Sequence, residues 1–298
     1  MTVINAFYRN ANAVSYADQL FGNGQQAPGT GFGQSSGTAL NGYVGNAAAD
    51  RALARIVEIL SLGPDAGDAP AVSETMGYVT GAAGTDGDDT MTLTGRGIND
   101  LNAGAGNDRI TAKSASITNI AGGGGKDTLQ LSAAFVGGID GGADDDEIGI
   151  IGKLALDIAG GAGDDTIKIA ADTIIGADGG DGDDTMTLEG TRIFASGGRG
   201  NDTVTIRQKG SDAYAEYAFA AGDGEDRINT DGPLAIRFTG IAPDALTVTR
   251  SGDTLTASVA GSNDKITVTL DGGQDATYSL VADEGGYVLK VGWADTAL

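Results

Sequence analysis

The chain is predicted to be all-β: a right-handed parallel β-roll, or β-solenoid, of about eight turns. A small helical region precedes it and an antiparallel β cap follows. Three observations predict this. First, a glycine-aspartate phrase recurs between Gly84 and Asn229, and its sixth position is aspartate at Asp89, Asp108, Asp127, Asp146, Asp165, Asp184, Asp202 and Asp226. The first five gaps are 19 residues each, and the last two are 18 and 24. A fixed period over many copies is the signature of stacked repeats. Second, a large apolar residue stands two positions after each aspartate: Met91, Ile110, Leu129, Ile148, Ile167, Met186, Val204 and Ile228. Another follows two positions further on in Leu93, Leu131, Ile150, Ile169, Leu188 and Ile206. That alternation marks a short strand with one buried face. Third, aromatic residues make up only 5% of the chain, which suits a thin core of small aliphatic side chains.

Residues 1–80 carry no repeats. Ala13, Val14, Ala17, Leu20 and Phe21 have helical spacing and predict a short helix over 11–21. Residues 22–46 read as loop, rich in glycine around Pro28. Asn46 then reads as an N-cap, Leu53, Ile56, Val57 and Leu60 share one helix face, and Gly63-Pro64 ends it. Such a helix would cover the open end of a solenoid, whose bare strand edges invite aggregation, or serve assembly. Met1–Arg9 lacks the basic start and apolar run of a secretory signal. No stretch reaches the roughly 18 apolar residues of a membrane span.

Composition excludes several functions. Acids outnumber bases 41 to 18, giving a net charge of −23. That is the wrong sign for nucleic acid or an anionic membrane surface. There is no cysteine, hence no disulfide and no thiol chemistry. Gly33-Gln-Ser35-Ser-Gly37 matches the G-x-S-x-G nucleophile motif, but the chain has no histidine to act as its base. The same absence removes the H-E-x-x-H zinc motif. No enzymatic activity is expected.

Residues 81–230 hold the repeats. Three copies read Gly160-Gly-Ala-Gly-Asp-Asp165-Thr-Ile-Lys, Gly179-Gly-Asp-Gly-Asp-Asp184-Thr-Met-Thr and Gly197-Gly-Arg-Gly-Asn-Asp202-Thr-Val-Thr. Glycine allows positive φ and close backbone approach in a tight turn, and such a turn aims carbonyl oxygens inward. Stacked aspartates repel one another until cations neutralise them. The phrases resemble the calcium-binding nonapeptide G-G-x-G-x-D-x-U-x of the RTX (repeats-in-toxin) family of haemolysin-type proteins. The resemblance covers about half the chain. It implies a β-roll whose loops hold Ca²⁺ between adjacent turns, with up to about seven ions for eight phrases. The ligands it implies are Asp89, Gly104, Gly106, Asp108, Gly123, Gly125, Asp127, Gly142, Asp146, Gly161, Gly163, Asp165, Gly180, Gly182, Asp184, Gly198, Gly200, Asp202 and Asp226.

The chain departs from the family pattern in ways that matter. The family has two phrases per turn; here there is one per 19 residues, and the other half-turn carries Ile98, Ile117, Val136, Ala155, Ile174 and Ile193. Aspartate loops are therefore expected along one edge only. Thr85 and Asp144 replace glycines, so their loops are expected to be weaker. The 24-residue interval should bulge around Lys209–Asp212 and break the series. Outward threonines such as Thr90, Thr128 and Thr166 form files, but Arg109, Glu147, Gly149 and Lys168 interrupt them, which argues against an ice-binding face.

From residue 231 the pattern changes to longer alternating strands: Leu234–Phe238, Leu246–Thr249, Thr254–Val259, Lys265–Leu270, Tyr278–Val281 and Tyr287–Val291. They are expected to form the cap. By resemblance this region also carries a signal for a type I secretion apparatus. The sequence thus reads as a secreted calcium-binding structural or surface protein that folds on Ca²⁺, a matrix, surface-layer, filament or adhesin subunit. The alternative is a carbohydrate-active or carbohydrate-binding protein. Expected partners are calcium, further copies of the chain or other cell-surface components, and the export machinery. The expected location is extracellular or on the cell surface.

Overall fold

The computed structural model describes residues 77–293, apart from 273–275 and 284–285. The helices expected at 11–21 and after Asn46 lie outside the described residues, as do the last five positions of the chain. In chain order the repeats contribute β1 (Tyr78–Ala83), β2 (Thr90–Thr94), β3 (Gly97–Ala105), β4 (Arg109–Lys113), β5 (Ser116–Gly124), β6 (Thr128–Ser132), β7 (Phe135–Ala143) and β8 (Glu147–Ile151). They continue with β9 (Leu154–Ala162), β10 (Thr166–Ala170), β11 (Thr173–Asp181), β12 (Thr185–Gly190), β13 (Arg192–Arg199), β14 (Thr203–Gln208), β15 (Tyr214–Ala220) and β16 (Glu225–Thr230). After them come β17 (Leu234–Thr239), β18 (Leu246–Ser251), β19 (Thr254–Val259), β20 (Lys265–Leu270), β21 (Ala276–Asp283) and β22 (Gly286–Trp293).

Odd and even strands of the repeats fall into two separate parallel sheets, so each coil is one long strand, a loop, one short strand and a turn. Strands pair in register between equivalent positions: Ile148, Ile167 and Met186 line up across β8, β10 and β12. The described residues contain nine parallel strands in each sheet, one more than the eight phrases imply, because β17 and β20 continue the stack past Asp226. The fold is the predicted β-solenoid with its aspartate loops on one edge. Among the described residues no helix is long and apolar enough to cross a membrane.

The core lies between the sheets and is built from files of equivalent side chains. One file runs Ile110, Leu129, Ile148, Ile167, Met186, Val204 and Ile228; facing it are Ile98, Ile117, Val136, Ala155, Ile174 and Ile193, all buried. Toward the C-terminal end Tyr217, Phe219 and Phe238 take over, and the last two meet edge to face with ring centroids 6.0 Å apart.

Each long strand of the regular coils bends at one left-handed residue: Gly81, Asp100, Asn119, Gly138, Asp157 and Gly176, with φ between 53° and 70°. Glycine, asparagine and aspartate are the residues that tolerate this conformation. The strand β13 lacks the corresponding residue, since Ile175 pairs with Phe194 and Ala177 with Ala195. That omission is the origin of the single 18-residue interval.

The 24-residue interval is resolved into two insertions. Gln208 pairs with Gly190 and Tyr214 with Arg192, so five residues, 209–213, stand where the preceding coil has one, at the Lys209–Asp212 bulge that the sequence marked. The remainder lengthens the loop before Asp226. The series is not broken there, because β14 and β16 still pair through Thr203–Ile206 and Arg227–Thr230.

The six C-terminal strands appear where expected but do not form a purely antiparallel cap. The strand β17 is parallel to β15, and β20 is parallel to β16. The antiparallel pairs β18–β19–β20 and β17–β22–β21 then extend the two sheets. Each sheet runs on through the last coil instead of meeting a separate lid.

Candidate metal centre

The phrase folds into the loop between a long and a short strand, and its glycines answer two demands. Gly104, Gly123, Gly142, Gly161, Gly180 and Gly198 at the second position have φ between 102° and 123°. Gly106, Gly125, Gly163, Gly182 and Gly200 at the fourth have φ between 103° and 146°. Side chains other than hydrogen are strained there. The coils also stack backbone on backbone at these points: a Cβ on Gly161 would run into the Gly142 carbonyl, and one on Gly180 into that of Gly161. Coil stacking alone thus accounts for these glycines. Asp144 takes the fourth position of its phrase with φ 72°, in the left-handed region that aspartate tolerates at more cost than glycine.

The sixth-position aspartates form a single ladder. The backbone N–H of each donates to Oδ1 of the next: Asp89 to Asp108, Asp108 to Asp127, Asp127 to Asp146, Asp146 to Asp165 and Asp165 to Asp184, all at 2.7 Å. Asp184 reaches Asp202 at 2.8 Å and Asp202 reaches Asp226 at 3.2 Å across the long interval. All but Asp89 are buried.

The second oxygens behave differently. Oδ2 of Asp108, Asp127, Asp146, Asp165, Asp184 and Asp202 is buried without a hydrogen-bond partner, and these six are the only such side-chain atoms among the described residues. Buried polar atoms are normally paired, and leaving a carboxylate oxygen bare inside a protein is costly. At the two ends the atom is satisfied. Asp89 Oδ2 accepts from the Thr85 N–H at 2.6 Å and hydroxyl at 2.9 Å, and Asp226 Oδ2 accepts from the Tyr217 hydroxyl at 2.7 Å.

Burial raises the carboxyl groups well above the ordinary 3.8, to about 7 in Asp146, Asp184 and Asp226 and about 6 in Asp165 and Asp202. Neighbouring carboxylates add to the rise, and the backbone N–H donated to each opposes it. Burial likewise raises Asp127.

A second, exposed ladder runs along the fifth position in the opposite sense. Here the N–H of the later residue donates back: Asn107 to Asp88 at 2.8 Å, Lys126 to Asn107 at 2.8 Å, Asp164 to Asp145 at 3.1 Å, Asp183 to Asp164 at 2.9 Å and Asn201 to Asp183 at 2.7 Å. Lys126 has no side-chain acceptor to pass on and instead pairs its ammonium with Asp145.

The bare oxygens suit a hard cation. Asp127 Oδ2 and the Gly141 carbonyl oxygen both crowd the point where a Cβ on Gly122 would stand. The same pairing recurs for Asp146 with Gly160, Asp165 with Gly179, and Asp184 with Gly197. Carboxylate and carbonyl oxygens of successive coils thus converge along one line. An all-oxygen set of this kind is the chemistry of Ca²⁺, which takes six to eight oxygens at about 2.3–2.6 Å. Among the described residues no three acidic side chains gather as a metal-holding group, so most ligands of any ion here would be backbone carbonyls.

The structure brings all eight predicted aspartates into one file, and the predicted glycines into the loops beside it. The implied ligand set leaves out Tyr217 and the first-position residues Gly122, Gly141, Gly160, Gly179 and Gly197, although the last three open the phrases quoted from the sequence and all five repeat with the aspartates. No family model matches this chain, and no curated protein matches it.

Proposed function

We propose that residues 84–229 form a calcium-dependent roll in a secreted structural or surface protein. The observation that carries this reading is the row of six buried, partnerless carboxylate oxygens. A divalent cation would give each oxygen a partner and cancel repulsion along the file. Asp108, Asp127, Asp146, Asp165, Asp184 and Asp202 would hold the ions, together with carbonyls of their own and the following coil. Binding to the folded form alone stabilises it by mass action, which couples folding to calcium. Extracellular modules bind at about 10⁻⁴–10⁻³ M, far above free calcium inside a cell. Export as an unfolded chain by a type I apparatus follows from the resemblance to RTX proteins, as does the assignment to a matrix, surface-layer, filament or adhesin subunit.

The surface hollow lined by Phe194, Ser196 and Glu216 bears on the carbohydrate alternative. Glu216 is held there by the Arg237 guanidinium at 2.5 Å and by the Tyr214 hydroxyl at 2.7 Å. That carboxylate is thereby built into a structural network, which favours the non-enzymatic reading.

Circular dichroism and calorimetric titration test the calcium reading. The expected result is loss of β signal in EGTA, recovery with Ca²⁺, and poor recovery with Mg²⁺, which demands a tighter octahedral shell. A spectrum that stays intact and melts cooperatively in chelator would overturn it.

A further inference from the structure

The aspartate ladder stops at Asp226, and one side chain marks the stop. In the coils before it, the oxygen that faces each Oδ2 is a carbonyl of the following coil. At Gly197 that place is taken by the hydroxyl of Tyr217, beside Asp202 Oδ2. Tyr217 pairs with Ala195 in the long-strand sheet, and the same register holds Ile120, Ile139, Ile158 and Ala177 in earlier coils, none with a polar atom to offer. Its ring is fully buried, and its hydroxyl donates to Asp226 Oδ2 at 2.7 Å. A buried phenol needs a partner, and this one finds it in the last carboxylate of the file.

We propose that Tyr217 is the end-stop of the cation file. It fills the seat beyond Asp202 with a neutral donor and satisfies Asp226 with a hydrogen bond instead of an ion. This rests on the calcium reading and deepens it. The ladder spans eight aspartates, but only the six with bare Oδ2 atoms take part in binding. Thr85 closes the other end in the same manner, by donating to Asp89 Oδ2. A hydroxyl is a substitute that a chelator cannot remove, so the last coils keep their shape where the ion file ends.

The test counts calcium per chain by isothermal titration calorimetry on full-length protein stripped with chelator, with folding followed by circular dichroism. Asp226→Asn is expected to keep the wild-type count, because Asp226 carries no ion. Asp165→Asn, from the middle of the file, is expected to lose about one ion or more. Tyr217→Ile restores the aliphatic residue of earlier coils and is expected to gain about one ion, as Asp226 becomes available. The end-stop is overturned if Asp226→Asn loses calcium as Asp165→Asn does. It is also overturned if Tyr217→Ile folds and keeps the wild-type count. Should Tyr217→Ile fail to fold, Asp226→Asn decides alone. A wild-type chain that takes up no calcium removes both the calcium reading and the end-stop, whereas unaltered wild-type uptake with either variant result above removes only the second.

Discussion

The two edges of the roll solve the same problem with different materials. Each must turn the chain from one sheet to the other and stack on the coil above. On the far edge the turn is two residues long and its backbone bonds to its neighbour: Ser114 N–H donates to the Ser132 carbonyl at 3.0 Å, Ala133 to Ile151 at 3.1 Å and Gly152 to Ala170 at 3.0 Å. Serine, alanine and glycine all occur there, although a Cβ on Gly152 or Gly190 would crowd the carbonyl of Ala133 or Ala171, and the edge buries no charged group. On the phrase edge the loop is pressed so closely on the next that glycine is required at two positions, and each coil sinks a carboxylate inside. A protein that needed only to turn had the far edge as its solution. The phrase edge buries carboxylate oxygens without partners, a cost that a proton or the cation proposed above would relieve.

The sharpest way to break this comparison is to add one carbon to each edge. Gly161→Ala places a Cβ against the Gly142 carbonyl at a φ of 122°, and is expected to destabilise the roll by roughly 3–5 kcal/mol. Gly152→Ala also brings a Cβ against a backbone carbonyl, that of Ala133 at 2.6 Å, but without a left-handed φ and at a position where Ala133 and Ala171 already stand, and is expected to cost about 1–2 kcal/mol. Chemical denaturation in saturating calcium measures both. Equal losses would mean that the left-handed φ of the phrase-edge glycines adds nothing to the cost of a Cβ there.

A second contrast lies in pH. The carboxyl groups raised to about 6 or 7 belong to the phrase-edge file, burial raising Asp140, Asp178 and Asp223 as well, and the folded protein holds these protons more tightly than the unfolded chain does. Their contribution to metal-free stability is full below the ordinary value of 3.8 and is lost as pH rises through 6 to 7. In chelator the melting temperature should therefore fall by on the order of 10 °C between about pH 5 and about pH 8. With saturating calcium the fall should vanish or reverse, since the ion competes with the proton for the same oxygens. A metal-free melting temperature that climbs over this range would show the carboxylates to be stabilised as anions by other means.

The smallest expected effect refines the phrase edge itself. Asp144 holds a left-handed conformation that its glycine counterparts adopt freely. Asp144→Gly should relieve that strain and stabilise the calcium-loaded protein by about 0.5–1 kcal/mol. Unchanged unfolding in denaturant would indicate that Asp144 earns its place through a contact that offsets the strain.

Much of this was legible in the sequence, because a solenoid pairs each residue with its own copy one period away. The spacing of Asp108, Asp127 and Asp146 gave both the file and the coil length, and the alternation after each gave the buried face. The left-handed stack of Asp100, Asn119, Gly138 and Asp157 obeys the same period and was missed because its residues differ in type while sharing one backbone tolerance. The role of Tyr217 was not readable. Its partner Asp226 lies in a different sheet and on the far side of a lengthened loop, so no local spacing links the phenol to the carboxylate. The ninth coil was hidden for a similar reason: β17 and β20 join the stack by pairing alone, without a phrase between them.

The ladder joins each coil to the next through identical atoms, N–H of one aspartate to Oδ1 of its successor. What a coil presents upward is what it accepts from below. A gene segment encoding one such unit can therefore be duplicated or lost within the regular series, and every joint closes again. Fractional changes are absorbed only at the bend of a long strand, at the far-edge turn and in the loop before an aspartate, as in the 18- and 24-residue intervals, where the strands on either side keep their pairing. Each whole coil added or removed within the regular series would change the number of bare carboxylates, and with it the cation capacity proposed for them, by one.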